Sequence, residues 1–106
     1  MHFSVTTQSV KKIKECGNSI RSDSVTVKYI THEMFRFSPV ISKKQGNAVK
    51  RNKVKRFIRD IMMSGRNKYP QGLYMIYFNR QCTEASRKNL MKEINGIMNE
   101  IDRLTV

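Results

Sequence analysis

The segment from Gly46 to Asp60, GNAVKRNKVKRFIRD, places two demands on one stretch of chain. At about 100° per residue, Val54, Phe57, Ile58, Ile61 and Met62 recur at helical spacing and form a single apolar stripe. Asn52, Lys53, Lys55, Arg56 and Arg59 fall on the remaining arc, with Asn52 and Arg56 close to opposite the stripe. A helix built this way anchors one face in a core and holds the other outward as a cationic ridge. Between Lys43 and Arg59 stand eight basic residues (Lys43, Lys44, Lys50, Arg51, Lys53, Lys55, Arg56, Arg59) and no acid. A solvated surface normally intersperses acids with its bases, so this run calls for a polyanionic partner. The whole chain carries a net charge of +13, from 21 Lys and Arg against 8 Asp and Glu. Nucleic acid is the first candidate and an anionic membrane surface the second.

Around this helix the pattern predicts a mixed α+β domain. Thr7 to Cys16 reads as a short helix, with Val10 and Ile13 as its apolar edge, Thr6 or Thr7 as cap, and Gly17 in the left-handed position past its end. From Ser24 the period becomes two, with Val25, Val27 and Tyr29 on one face and Thr26, Lys28 and Ile30 on the other. Residues 35–41, FRFSPVI, form a second strand in which Pro39 calls for an edge or a bulge, and residues 31–33 are short enough to join the two as a hairpin. LYMIYF, 73–78, is apolar on both faces and reads as a buried strand. A closing amphipathic helix from about Thr83 to Leu104 presents Leu90, Ile94, Ile97, Ile101 and Leu104, with Thr83 as cap and Gly96 as a weak point. Met62, Met63, Met91 and Met98 are expected to fill the core.

With 106 residues and no linker, repeat or low-complexity tract, residues 1–106 are expected to be one domain. Cys16 and Cys82 stand alone and His2 and His32 have no paired ligands, so no metal motif or disulfide framework is indicated. The N-terminus lacks a signal-peptide core and the longest apolar run cannot span a bilayer, which predicts a soluble, cytoplasmic protein.

Arg offers a planar fork for phosphate oxygens, Lys a point charge, and Asn a partner for a base edge or ribose hydroxyl. The candidate nucleic-acid-binding set, RNA-binding by the resemblance given below, is Lys43, Lys44, Asn47, Lys50, Arg51, Asn52, Lys53, Lys55, Arg56 and Arg59. Asp60 is the lone acid in this region and has no evident partner, so self-sufficient metal-dependent hydrolysis lacks its carboxylates and no catalytic residue is assigned. A non-enzymatic ribosomal or RNA-chaperone protein suits the composition equally well. A membrane-surface helix suits it less, because the apolar stripe is needed for a core.

The segment resembles the signature of the bacterial ribonuclease P protein family, an SKK before a GNAV turn and then an RNxxKRxxR helix. It stands here as Ser42, Lys43, Lys44, Gly46, Asn47, Ala48, Val49, Arg51, Asn52, Lys55, Arg56 and Arg59, with Lys53 where the family often has Arg. The layout is similar too, with a strand after Gly72, Arg80 just past it, and a closing helix. The resemblance implies an αβββαβα sandwich with a mixed sheet and a left-handed βαβ crossover, the fold type of the second domain of a small-subunit ribosomal protein. It further implies a protein subunit of the endonuclease ribonuclease P, monomeric and bound one to one with a catalytic RNA. That RNA, with magnesium or another divalent cation, removes the 5′ leader of precursor tRNA. The family's leader cleft, often lined by aromatic residues, maps to Val10, Lys14, Thr26, Lys28 and Arg36. Lysines at those places imply a leader interaction that is salt-sensitive and depends less on stacking.

Overall fold

The computed structural model describes residues 5–82 and 87–105. Helix α1 (Thr7–Cys16) leads into strands β1 (Asn18–Arg21), β2 (Val25–Thr31) and β3 (Phe35–Val40). A single 3-10 turn at Lys43–Gln45 precedes helix α2 (Ala48–Ser64), which is followed by strand β4 (Gly72–Phe78) and helix α3 (Arg87–Thr105). This is the αβββαβα order the resemblance implied.

The sheet order is β1-β2-β4-β3. β2 pairs antiparallel with both β1 and β4, while β3 runs parallel to β4, so β3, α2 and β4 form a βαβ crossover. The hairpin expected between β2 and β3 is therefore absent: residues 32–34 carry the chain to the far edge, and β4 inserts between the two strands. The reason lies in β4, where Leu73, Tyr74, Met75 and Ile76 are all buried. A strand apolar on both faces gains most at the centre of a sheet, and β3, with Pro39, is left at an edge where its missing N–H costs no ladder bond.

Alternation along β4 divides the core into two layers. Tyr74 and Ile76 join Val25, Val27, Tyr29 and Phe37 beneath Ile58, Ile61 and Met62 of α2 and Leu90, Ile94, Ile97, Met98 and Ile101 of α3. Leu73 and Met75 face the other way and pack against Ile13 of α1. Met62 and Met98 fill the core as expected, whereas Met91 is 42% exposed and Leu104, at the end of its stripe, 61%. β1 escaped the pattern reading because its four residues are exposed except for the half-buried Ile20.

Thr6 caps α1, its hydroxyl accepting from the Ser9 N–H at 3.3 Å. Gly17 is extended (φ −74, ψ 153), not left-handed. It is required for another reason, since a Cβ there would lie 2.3 Å from the Ile13 carbonyl oxygen. The expected Thr83 cap lies outside the described residues.

Glu93 on α3 fastens the β1–β2 turn: its Oε1 accepts from the Ser24 N–H and from the Ser22 hydroxyl, each at 2.7 Å. Burial works to raise this carboxyl, but those hydrogen bonds and the nearby Arg80 charge outweigh it and hold it below its ordinary 4.5. A lowered folded pKa means that the stabilisation is fully present above pH 4.5 and is lost as pH falls through the folded value. Glu93→Gln is expected to lower the thermal midpoint at neutral pH and to flatten the decline on acidification, as read by circular dichroism across a pH series. Gly96, by contrast, sits exposed in α3 where an added Cβ would meet nothing within 4 Å. Gly96→Ala should therefore stabilise by about 1 kcal/mol in denaturant unfolding.

Candidate nucleic-acid interface

The ridge is positioned by the core beneath it. On α2, Val54, Phe57, Ile58, Ile61 and Met62 are all buried, which is the predicted stripe residue for residue. Burying each such side chain contributes about 1.5–3 kcal/mol. Like-charge neighbours one turn apart, such as Arg51 with Lys55 and Lys55 with Arg59, cost only about 0.2–0.5 kcal/mol a pair. The anchor wins, and the cations stay where the helix puts them.

Lys50, Asn52, Lys53, Lys55, Arg56 and Arg59 are exposed on α2, as are Lys43 and Lys44 on the turn before it. Arg51 is half-buried, and its Nε is shielded with no hydrogen-bond partner among the described residues. Among the described residues none of the eight cations from Lys43 to Arg59 has a carboxylate at ion-pair distance; carboxylates instead meet Arg80 (Asp23), Arg87 (Asp60) and Arg103 (Glu100). Asp60, which lacked an evident partner in the sequence, thus faces Arg87 at 3.4 Å, and that guanidinium also lies 5.0 Å from the Phe57 ring centroid. Among the described residues no three His, Cys, Asp or Glu converge as metal ligands, and no helix is long and apolar enough to cross a membrane.

The entry to α2 has its own chemistry. Asn47 is the N-cap, its Oδ1 accepting from the Lys50 N–H at 3.0 Å, so the carboxamide oxygen of this candidate contact serves the helix. Gly46 has φ 113 and ψ −154, a region essentially confined to glycine, and it turns the chain from the Lys43–Gln45 turn into α2.

The second candidate group lies on the α1 side of the sheet. Thr26, Lys28 and Arg36 are half-buried and share that face, Thr26 beside Tyr77, Lys28 beside Met75, and Arg36 beside Leu73 across the ladders. Lys14 is exposed on α1, whereas Val10 packs against the Ile13, Leu73 and Met75 cluster and so serves the core. Tyr29 points into the opposite layer. The sequence reading missed Tyr77, which is half-buried on the α1 side with the Lys28 Nζ 5.7 Å from its ring centroid. Its position was hidden in the phase of LYMIYF, which only the strand pairing resolves.

Arg80 is likewise placed by the structure. Exposed just past β4, it reaches Asp23 at 2.6 Å, and its carbonyl oxygen accepts from Gln45 of the turn before α2 at 3.0 Å.

Comparison with known proteins gives a consistent answer. The family model described as Ribonuclease P matches residues 5–102. The chain is 35% identical over 78 residues to the ribonuclease P protein component of Thermus thermophilus, covering 74% of this chain and 47% of the relative. It is 30% identical over 69 residues to that of Coprothermobacter proteolyticus, covering 65% of this chain and 58% of the relative. These matches thus span about half the length of those two relatives. In fold the chain is similar to the RNase P protein of Staphylococcus aureus, with a TM-score of 0.79, 24% identity and coverage of 92% and 95% of the two chains. The Thermotoga maritima RNase P protein gives a TM-score of 0.75 at 17% identity, with coverage of 92% and 96%.

Gly46→Ala is expected to destabilise the fold by about 1–3 kcal/mol, because alanine at that φ is strained. Chemical denaturation measures it, and an unchanged midpoint would show that the turn relaxes to another conformation.

Proposed function

The chain belongs to the Ribonuclease P family, and on that premise we propose that it is the protein subunit of a ribonucleoprotein endonuclease that matures the 5′ end of tRNA. The observation that carries this reading is the ridge itself: eight cations, six of them in family-motif positions, held by the core beneath them and without acidic partners among the described residues. In the proposal, Lys43, Lys44, Lys50, Arg51, Asn52, Lys53, Lys55, Arg56 and Arg59 grip the phosphates and riboses of the catalytic RNA, and Asn47 fixes the start of their helix. The protein supplies binding and charge neutralisation, and one copy serves one RNA in the cytoplasm.

The leader of precursor tRNA lies along the α1 side of the sheet, where Lys14, Lys28 and Arg36 meet its phosphates, Thr26 adds a hydroxyl and Tyr77 offers a ring for an unpaired base. Magnesium or another divalent cation would be held by the catalytic RNA, where it would supply metal-assisted hydrolysis of the phosphodiester, and no residue of this chain is assigned as its ligand. This chain's own cations lower the repulsion between leader and catalytic RNA, a task otherwise left to dissolved ions.

Two readouts test the proposal. Cleavage of a precursor tRNA by the cognate catalytic RNA at low magnesium should be strongly stimulated by the protein and much less by its Lys55→Ala/Arg56→Ala form. If about six phosphates are neutralised, log affinity for the RNA should fall against log salt with a slope of roughly −4 to −5, and the double substitution should flatten it by about one to two units. Tight RNA binding without stimulation would move the protein to the ribosomal or chaperone class. An unchanged slope in the double variant would place the contact face elsewhere.

A further inference from the structure

A neutral amide is buried at a cost unless both of its ends are satisfied. Among the described residues Gln45 is the buried polar side chain, 2% exposed, and both of its ends are used. Its Nε2 donates to the Arg80 carbonyl at 3.0 Å and its Oε1 accepts from the Cys82 N–H at 2.8 Å. Those two backbone groups lie 35 and 37 residues further along the chain.

The location explains the arrangement. β3 and β4 are parallel, and the last described pair of their ladder is Val40 with Tyr77. Past that point the chain after β3 enters the Lys43–Gln45 turn and the chain after β4 runs through Asn79 and Arg80. The Gln45 carboxamide bonds to the second segment as a neighbouring strand would, one donor and one acceptor, and so continues the pairing after the backbones have parted. An apolar side chain of the same size would fill the space but would leave the Arg80 carbonyl and the Cys82 N–H without this partner.

We propose that Gln45 is a positioning residue for RNA binding, a clasp that holds Lys43 and Lys44 on one segment and Arg80 on the other in a fixed relation, so that the basic surface extends from α2 across the end of β4. This rests on the reading of the ridge as an RNA interface. Asp23 restrains the Arg80 side chain from the far side at 2.6 Å, while Gln45 restrains its backbone. Groups held in place before the partner arrives lose less freedom on binding, which is the gain the clasp provides.

Gln45→Met keeps length and burial and removes both hydrogen bonds. With the cognate catalytic RNA as probe, it is expected to weaken binding about three- to tenfold, the range for losing one or two hydrogen bonds' worth of organisation. Arg80→Ala should weaken binding too, and the combination should lose less than the product of the two, because Gln45 acts partly through Arg80. A purely structural role would give independent, multiplying losses, and that result, or wild-type affinity in Gln45→Met, would overturn the inference. Lys55→Ala/Arg56→Ala is measured alongside: if it too binds like wild type, the RNA-interface reading fails, and if it alone is weakened, only the clasp fails. Should Gln45→Met not fold, hydrogen exchange on the unaltered protein decides: slow exchange at the Cys82 amide is expected, and exchange as fast as in the exposed Gln81 would overturn the clasp.

Discussion

A strand that is apolar on both faces must be covered on both, and β4 imposes that demand on everything else. Leu73 and Met75 draw α1 onto one side of the sheet, and Tyr74 and Ile76 draw α2 and α3 onto the other. Once β4 occupies the centre, β2 and β3 cannot pair with each other, and the helix that links β3 to β4 must cross a face of the sheet. That helix is α2. The crossover thus fixes the apolar stripe inward, and the cations on the opposite arc are displayed as a consequence of core packing.

The same logic sets the relation between stability and charge. A ridge of this density would be poorly tolerated on a marginal helix, but five buried side chains on α2 exceed the repulsion between neighbouring cations several-fold. Three acids of the chain are used elsewhere: Glu93 fastens the β1–β2 turn, Asp23 meets Arg80, and Asp60 meets Arg87. Each of these pairs joins two elements far apart in sequence, and none neutralises the ridge. Arg80 and Arg87 are met by acids from distant elements, whereas the eight cations from Lys43 to Arg59 have no acidic partner among the described residues.

What could be read from the sequence follows the range of the interactions involved. The α2 stripe, the face assignment of β2 and the edge position of Pro39 depend on near neighbours, and periodicity expresses them. The insertion of β4 between β2 and β3 depends on which strand gains most from two covered faces, a comparison across the chain that a short linker at 31–33 obscured. β1 has too little apolar pattern to register, and Gly17 was assigned a left-handed role when the decisive factor was the nearness of the Ile13 carbonyl. At the site, the motif located the ridge, whereas Tyr77 and the bonds of Gln45 required the register of the sheet.

The position of the glycine and the glutamine beside the ridge shows how a short motif can hold more than charge. Gly46 supplies a backbone angle that other residues resist, so the chain leaves β3, turns once and enters α2 at a fixed direction. Gln45, one residue earlier, ties that turn to the segment after β4 through two backbone groups. Turn and clasp act on adjacent residues but on different relations, Gly46 on the angle between turn and helix and Gln45 on the spacing between turn and neighbouring segment. Because the two relations are separable, a substitution that relaxes one need not disturb the other: loosening the clasp should leave the α2 cations in register with one another while Arg80 drifts from Lys43 and Lys44. The geometry of the whole basic surface is then the product of a helix that is rigid by packing and an extension that is rigid by hydrogen bonding.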